Sequence, residues 1–230
     1  MSIRASFRER QRENEHRMCK AKGCNLHRAG MSGWCSTHQH RVVHFGHTDG
    51  KRWFPKEFEK ERLKVKALLQ VNPDHPGIKQ GVKFFQDWIE KACTLGHQFA
   101  QKQMLRLQDE GITGEMLLVE CASIWLFSHL TPWALPTELP LTYALGITML
   151  TLSTVYKVGC TSVRDVPPKL RREVGQYIRS SIGLLLMNIY KTVERADSEA
   201  EDRRKAMAEP LVPHIVIQKA EGEPPEVRPL

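Results

Sequence analysis

The stretch GEMLLVECASIWLFSHL, residues 114–130, decides the fold of this chain. Apolar residues occupy nearly every side of a helix drawn through it, instead of one stripe. Just before it, Gly111 is placed to end an earlier helix and Thr113 to cap this one, with Glu115 in the first turn. A helix that is apolar all round is buried at the centre of its domain. We therefore predict a mainly α protein with this helix at the centre.

Helical patterns extend on both sides of this segment. Apolar residues recur every three or four positions over residues 56–70, 78–109 and 138–157, and Pro167-Pro168 opens a last long helix. The pattern over 78–109 predicts one continuous helix. Residues 210–230 contain five prolines and little to bury, so we expect a flexible tail. The predicted fold is a helical bundle-like domain over residues 56–209, preceded by a small N-terminal module.

One segment touches the lower length limit for a membrane span. Residues 139–156 carry no formal charge, but they include five Thr or Ser residues, a glycine, and Pro140 near the start. A buried helix in a soluble bundle is the favoured interpretation, and a membrane protein is the least favoured of the alternatives.

Four candidate metal ligands near the N-terminus have the spacing Cys-x4-Cys-x10-Cys-x2-His. They are Cys19, Cys24, Cys35 and His38. Two close donor pairs separated by about ten residues can surround a tetrahedral Zn²⁺. The alternative is four unrelated residues in a basic loop. Since half of the six cysteines fall within 17 positions, we favour zinc.

The residues between these pairs suit a small metal-bound knuckle over residues 18–50. Gly23, Gly30 and Gly33 fall where such a chain needs positive φ or close backbone approach. The module has almost no core of its own, and Trp34 is the one large apolar side chain that can pack against the metal-binding residues.

Cysteine usage points to a reducing compartment. Residues 1–20 are mostly polar and contain no apolar signal sequence, so we expect a cytoplasmic protein whose clustered cysteines bind metal. Cys93, Cys121 and Cys160 stand singly among apolar residues, and we expect them to be buried small hydrophobes.

The positive charge is concentrated at the N-terminus. Residues 1–60 carry 13 Lys or Arg against 6 Asp or Glu, whereas residues 61–230 carry 21 against 20. Residues 1–17 are polar and cationic, and form a short helix or an arm that orders on a polyanion. Such an excess predicts a negatively charged partner, most plausibly the phosphate backbone of nucleic acid, with DNA favoured over RNA. The predicted contacts are the basic residues Arg4, Arg8, Arg10, Arg12, Arg17, Lys20, Lys22, Arg28 and Arg41.

Two further sets of residues are candidate contacts to nucleic acid. Asn25, His27, Gln39 and His40 are available to read bases. If the N-terminal arginines are not the contacts, Lys169, Arg171 and Arg172 at the start of the last helix are the alternative.

The knuckle resembles a short zinc-binding module that is common in bacteriophage and prophage proteins, often beside HNH-type endonucleases. The resemblance rests on CKAKGC (19–24), GWCSTH (33–38), Arg41 and HFG (44–46), and covers only this small part of the chain. It implies Zn²⁺ ligation by Cys19, Cys24, Cys35 and His38, and a bacterial host cytoplasm if the chain is phage-encoded. Two positions depart from the module: Gln39 replaces an aromatic residue, and His44 precedes Phe45 instead of a glycine. The main domain resembles no known family.

An HNH-type nuclease is not favoured. Such a site needs a general-base histidine, an asparagine and a metal ligand on a ββα hairpin. The four asparagines lie at 14, 25, 72 and 188, none between His44 and the following helix, and no strand pattern is present there. His40, His44 and His47 are better explained as a helical edge that faces phosphate or solvent. We predict no enzymatic activity.

The leading hypothesis is therefore a non-enzymatic, zinc-containing nucleic-acid-binding protein. The alternative is a structural or assembly protein in which zinc staples the N-terminus and the helical domain self-associates. The apolar helices at 114–130 and 138–157, together with an exposed Trp133, would serve that interface.

Overall fold

The structure, a computed structural model, describes residues 3–156 and 166–208. The regular secondary structure of these residues is helical, apart from one isolated antiparallel bridge between Met18 and His27. The α-helices in chain order are α1 Ile3–Glu15, α2 Ser36–Phe45, α3 Glu59–Val71, α4 Pro76–Glu90, α5 Gln98–Asp109, α6 Gly114–Leu130, α7 Glu138–Tyr156 and α8 Pro168–Ala208. Short 3-10 turns cover Pro55–Phe58 and Ala92–Thr94. The predicted mainly α fold is confirmed.

Helix α6 lies at the centre of the helical body. Every residue from 117 to 128 is buried, and the helix packs against α3, α4 and α7. The Thr113 hydroxyl accepts a hydrogen bond from the Met116 N–H at 3.3 Å, and Gly111 follows α5 with a φ of 68°. The predicted caps and the predicted central position of this helix are therefore confirmed.

The single helix predicted over 78–109 is wrong. Helix α4 ends at Glu90, a 3-10 turn follows, and His97 caps the start of α5 by accepting the Phe99 N–H at 3.2 Å. The break has a local cause, since the Thr94 hydroxyl donates to the Lys91 carbonyl at 2.7 Å and Gly96 has a low helix propensity. Ala92 and Leu95 still contact the core, so the apolar spacing continues through the break. The break is therefore not visible in the sequence pattern.

The single cysteines differ in exposure. Cys121 is buried in α6 as predicted, but Cys93 is exposed, so the prediction for Cys93 is wrong. Cys93 lies in the 3-10 turn that interrupts the predicted helix, which turns its side chain toward solvent. Cys160 lies outside the described residues.

A buried ion pair joins α3 to α6. The Arg62 Nε lies 2.7 Å from Glu120 Oε1, and Arg62 Nη2 donates to Glu120 Oε2 at 3.0 Å. Arg62 also pairs with Glu59 one turn earlier and lies over the Phe58 ring. Glu120 is 2 % exposed, so its charge depends on Arg62 for compensation.

Helices α7 and α8 cross with their backbones in direct contact at two glycines. A methyl group on Gly175 would overlap the carbonyl oxygen of Thr142, and its carbon would lie 2.7 Å from the carbonyl carbon. A methyl group on Gly146 would overlap the Arg171 carbonyl oxygen in the same way. No side chain other than hydrogen fits at either position.

By its contacts the chain divides into two compact units, Met1–Glu194 and Arg195–Leu230. In the second unit the structure describes residues 195–208, which are the charged end of α8. The predicted tail at 210–230 lies outside the described residues. The predicted boundary between an N-terminal module at 18–50 and a domain at 56–209 stays a prediction. No single described helix is long and apolar enough to cross a membrane, and α5 with α6 reach that length only as a pair bent by 116°.

Candidate metal centre

A folded-back loop brings the four predicted ligands together. The Cys19 N–H donates to the Leu26 carbonyl at 2.8 Å, and the Lys20 N–H donates to the Gly33 carbonyl at 3.0 Å. Gly23 and Gly30 turn the chain with φ angles of 73° and 53°, a region that favours glycine. The positive φ predicted at these two glycines is confirmed.

The second pair of ligands belongs to the start of α2. Cys35 is the N-cap residue of this helix, and His38 lies in its first turn. Trp34 packs against the buried Cys19, Ala21 and Cys35, as its predicted role as the large apolar side chain of the module requires. The helix start thus fixes the direction of two ligands, and the loop fixes the other two.

The ligand atoms have the spacing of a tetrahedral metal site. All four lie within 4.8 Å of one another. The Cys24 and Cys35 sulfurs are 3.9 Å apart, and His38 Nδ1 lies 3.2 Å from the Cys35 sulfur and 3.5 Å from the Cys19 sulfur. Zinc–sulfur bonds of about 2.3 Å would place tetrahedral sulfurs about 3.8 Å apart. The cluster can therefore hold a metal ion, with Nδ1 as the histidine donor.

None of the three cysteines in the cluster is in a disulfide. The 3.9 Å between the Cys24 and Cys35 sulfurs is almost twice a disulfide bond length of about 2.05 Å. Three thiols and one imidazole that converge without a covalent link form a donor set typical of structural metal sites.

The backbone around Cys19 favours its thiolate. Burial raises the pKa of the Cys19 thiol, but N–H groups of Ala21 and Cys35, 3.5 and 3.3 Å from the sulfur, together with His38 and Cys24, lower that pKa to about 6. At Cys24 the Leu26 N–H lowers the pKa, but burial and the thiols of Cys19 and Cys35 outweigh it and raise the pKa. The lowered pKa of Cys19 favours its thiolate, which is the form that binds metal.

Residues 3–15 form a helix that is anchored on the loop. The Asn14 amide donates to the carbonyls of Gly30 and Ser32 at 2.8 and 2.7 Å, and its oxygen accepts from Arg28 at 3.0 Å. Arg28 also donates through Nε to the Met18 carbonyl at 2.9 Å. Of the two alternatives for this segment, an arm or a helix, the structure shows the helix.

The far end of α2 contacts the helical body. Gly46 ends the helix with a φ of 76°, and a side chain there would lie 3.0 Å from both Leu139 and Tyr143 of α7. The fully buried Arg171 of α8 donates to the His44 carbonyl at 3.1 Å and to the Val166 carbonyl at 2.7 Å. Helix α2 therefore carries metal ligands at one end and core contacts at the other.

The predicted phosphate contacts fall into two groups, those whose side chains already form hydrogen bonds within the protein and those whose side chains do not. Arg28 holds Asn14 and Met18, and Arg41 donates to the Thr48 carbonyl at 3.5 Å. Six others are exposed, and their side chains form no ion pair or hydrogen bond within the described part of the chain: Arg8, Arg10, Arg12, Arg17, Lys20 and Lys22. The side chain of Arg4 lies outside the described residues.

Among the alternative phosphate contacts predicted at the start of α8, Arg171 is wrong. Arg171 is 0 % exposed, so it is not available to phosphate. Lys169 pairs with Glu173 at 3.6 Å. The basic segment KLRR at residues 169–172 looks exposed in sequence, but the glycine crossing brings this turn against α7 and buries Arg171.

The remaining N-terminal histidines lie beside the cluster and not in it. The rings of His40 and His44 stack on α2 with centroids 4.2 Å apart. Burial, then Arg171 and His40, lower the pKa of His44. His47 Nδ1 accepts the Asp49 N–H at 3.2 Å.

Asn14 and Arg171 hold the N-terminal segment in place, a role that the sequence predicts for neither residue. In the sequence, nothing distinguishes Asn14 from the other polar residues of its charged segment. Arg171 has the pattern of an ordinary surface cation. An asparagine in the last turn of an otherwise charged helix is a usable hint, because its amide can bond to nearby carbonyls. Nothing in the sequence pattern points to a positioning role for Arg171.

A scan of protein-family models finds no match for this chain, and neither curated proteins nor solved structures show a significant similarity to it. The resemblance of the knuckle to the phage module therefore stays a prediction.

Proposed function

We propose that this chain is a zinc-containing, non-enzymatic nucleic-acid-binding protein of the cytoplasm, of the kind carried by phages, which binds phosphate backbone through its N-terminal segment. The observation that carries the proposal is the combination of a Cys₃His cluster with six exposed cations, from Arg8 to Lys22, whose side chains pair with none of the described residues. The cluster makes a small segment rigid, and the cations give that rigid segment its charge.

Zinc is the metal that this donor set favours. Three thiolates and one imidazole at tetrahedral spacing match a closed structural zinc site, whereas harder ions such as Mg²⁺ and Ca²⁺ prefer oxygen ligands. Cys19, Cys24, Cys35 and His38 would use all four positions, which leaves none for a substrate. A site closed in this way supports the non-enzymatic interpretation.

Phosphate is the partner that the charges favour. A free cation near a nucleic acid displaces a condensed counterion, so each phosphate contact contributes about 0.9 to the slope of log affinity against log salt for a duplex. If two to six of the free cations bind, the slope lies between about −2 and −5.

The test is fluorescence anisotropy with a short duplex of random sequence, titrated at several salt concentrations. We expect a linear plot with a slope in the range above and no preference among scrambled sequences. Lys102→Gln, which removes one exposed charge from α5, is the control and should leave the slope unchanged. No binding by the native chain at low salt would refute nucleic-acid binding.

One observation favours the assembly alternative. Trp133, in the loop between α6 and α7, is 79 % exposed, and Leu130 and Leu139 on either side are also exposed. An exposed tryptophan among leucines is typical of a binding surface. Light scattering over a range of protein concentrations tests whether the chain self-associates. A molar mass that rises with concentration, and that is lower in Trp133→Ser, supports self-association. A constant monomer mass excludes self-association.

A further inference from the structure

The charges of α1 are separated into stripes along the helix. Residues advance by about 100° each, so Arg8 and Arg12 share one side of the helix. Glu9 and Glu13 lie about 100° further round. Arg10 lies on the opposite side from Arg8 and Arg12, one turn before Asn14. These five residues are exposed, whereas Glu15, one turn beyond Arg12 on the same side, is half-buried and accepts a hydrogen bond from the Gln11 amide at 2.9 Å.

The anchored side of α1 is fixed by Asn14. Its amide is held by Gly30, Ser32 and Arg28 at 2.7–3.0 Å, so this side of the helix faces the metal-binding loop. The orientation of the other stripes relative to the loop follows from that anchor. Arg10 lies on the loop side, and the Arg8 and Arg12 stripe lies on the opposite side, away from the loop.

This arrangement restricts how α1 can meet a duplex. A helix inserted in the major groove presents one side to the bases and both flanks to the two phosphate strands. Because the loop lies opposite Arg8 and Arg12, the arginine side is the one that could face the bases while the loop stays outside the groove. The Glu9 and Glu13 stripe, about 100° further round, would then face one phosphate strand, and its carboxylates would be repelled by the phosphates.

We infer that α1 lies along one phosphate backbone of a duplex through the Arg8 and Arg12 stripe, and that its Glu9 and Glu13 stripe keeps the helix out of the groove. This inference rests on the proposed nucleic-acid binding and specifies its geometry. Four residues of helix separate the Cα atoms of Arg8 and Arg12 by about 6 Å of axial rise, close to the spacing of successive phosphates on one strand. Binding along one strand without groove entry is independent of sequence.

The experiment measures duplex affinity against salt for single variants of equal charge change. Arg8→Gln and Arg12→Gln should each lower the slope by about 0.9, and together by about 1.8. Arg10→Gln is the matched control on the same helix, and its slope should change by less than half as much. Glutamine is a good helix former, so circular dichroism and metal content should be unchanged in all three.

The acidic stripe gives a second readout of opposite sign. Glu9→Gln with Glu13→Gln should raise affinity about two- to fivefold at low salt, because repulsion from the neighbouring strand is removed. The preference among scrambled duplexes should stay flat. A loss of affinity, or a new dependence on sequence, would mean that the carboxylates face bases and would overturn the inference.

The outcomes separate this inference from the proposed function. Native binding with equal slope changes for Arg8→Gln, Arg10→Gln and Arg12→Gln, or with no change for any of them, overturns the one-sided contact and leaves nucleic-acid binding in place. No binding by the native chain overturns both.

Discussion

The glycine crossing of α7 and α8 leads to a prediction about stability. In Gly175→Ala the new methyl carbon would lie 2.7 Å from the Thr142 carbonyl carbon and overlap its oxygen, where ordinary contacts are about 3.4–4 Å. Since a carbonyl within a helix cannot rotate away, the two helices must separate by about 1 Å or more. Overpacking of this kind costs about 1–3 kcal/mol, and more when backbone must move.

Gly183→Ala is the matched control in the same helix. A methyl group at Gly183 would meet only Trp125, at 3.7 Å, which is an ordinary contact. Alanine is favoured over glycine inside a helix by about 1 kcal/mol, so this variant should gain stability. The same gain applies to Gly175→Ala, so a steric cost of about 3 kcal/mol or more, expected because backbone must move, leaves a net loss of about 2 kcal/mol or more.

The assay is thermal unfolding followed by circular dichroism in the far ultraviolet, with urea unfolding to obtain the free energy. For a chain of this size about 1 kcal/mol shifts the Tm by about 2–4 °C. Gly175→Ala should therefore lower the Tm by about 4–8 °C, and Gly183→Ala should raise it by about 2–4 °C. An equal Tm change in both variants would show that α7 and α8 are not in backbone contact and would refute the reasoning.

Three further predictions concern the buried ion pair, the metal and the domain boundary. Glu120→Ala should cost up to about 3 kcal/mol because the buried Arg62 loses its buried partner and keeps the half-exposed Glu59, and Arg62→Leu in the same chain should recover much of that loss in urea unfolding. Cys35→Ser should reduce bound zinc, measured by plasma emission, from about one per chain to less than half, whereas the exposed Cys93→Ser should not. Deletion of residues 1–50 should leave a helical spectrum and a cooperative melt at a lower Tm, and an unfolded product would show that the two parts share one core.

How far the sequence predicts this structure depends on whether a feature is local. The bounds of α6 follow from Gly111, Thr113 and an apolar run, all of which lie between positions 111 and 130. The metal ligands follow from spacing alone, because short turns leave a chain few ways to place four donors. The break after Glu90 is also local, but a continuous apolar period hides it.

Features that join distant segments were not predictable in this way. The meeting of Gly146 with Gly175 requires knowledge of which helices cross, and a single chain offers no such pairing signal. The burial of Arg171 follows from that crossing, so it was hidden for the same reason. Glu120 was visible as a lone carboxylate in an apolar helix, but its partner Arg62 lies 58 positions away.

Helix α2 limits where this chain can change in length. His38 belongs to the metal cluster, and Phe45 lines a cavity together with Trp53 and Tyr143. The two residues are seven positions apart on the helix, which is two helical turns to within about 20°. An insertion or deletion of one residue between them would rotate Phe45 by about 100° relative to the metal ligands. The helix could then keep the metal ligands or Phe45 in position, but not both. Natural length variants of this protein should therefore alter the segment after Gly46 and preserve the count from 38 to 45.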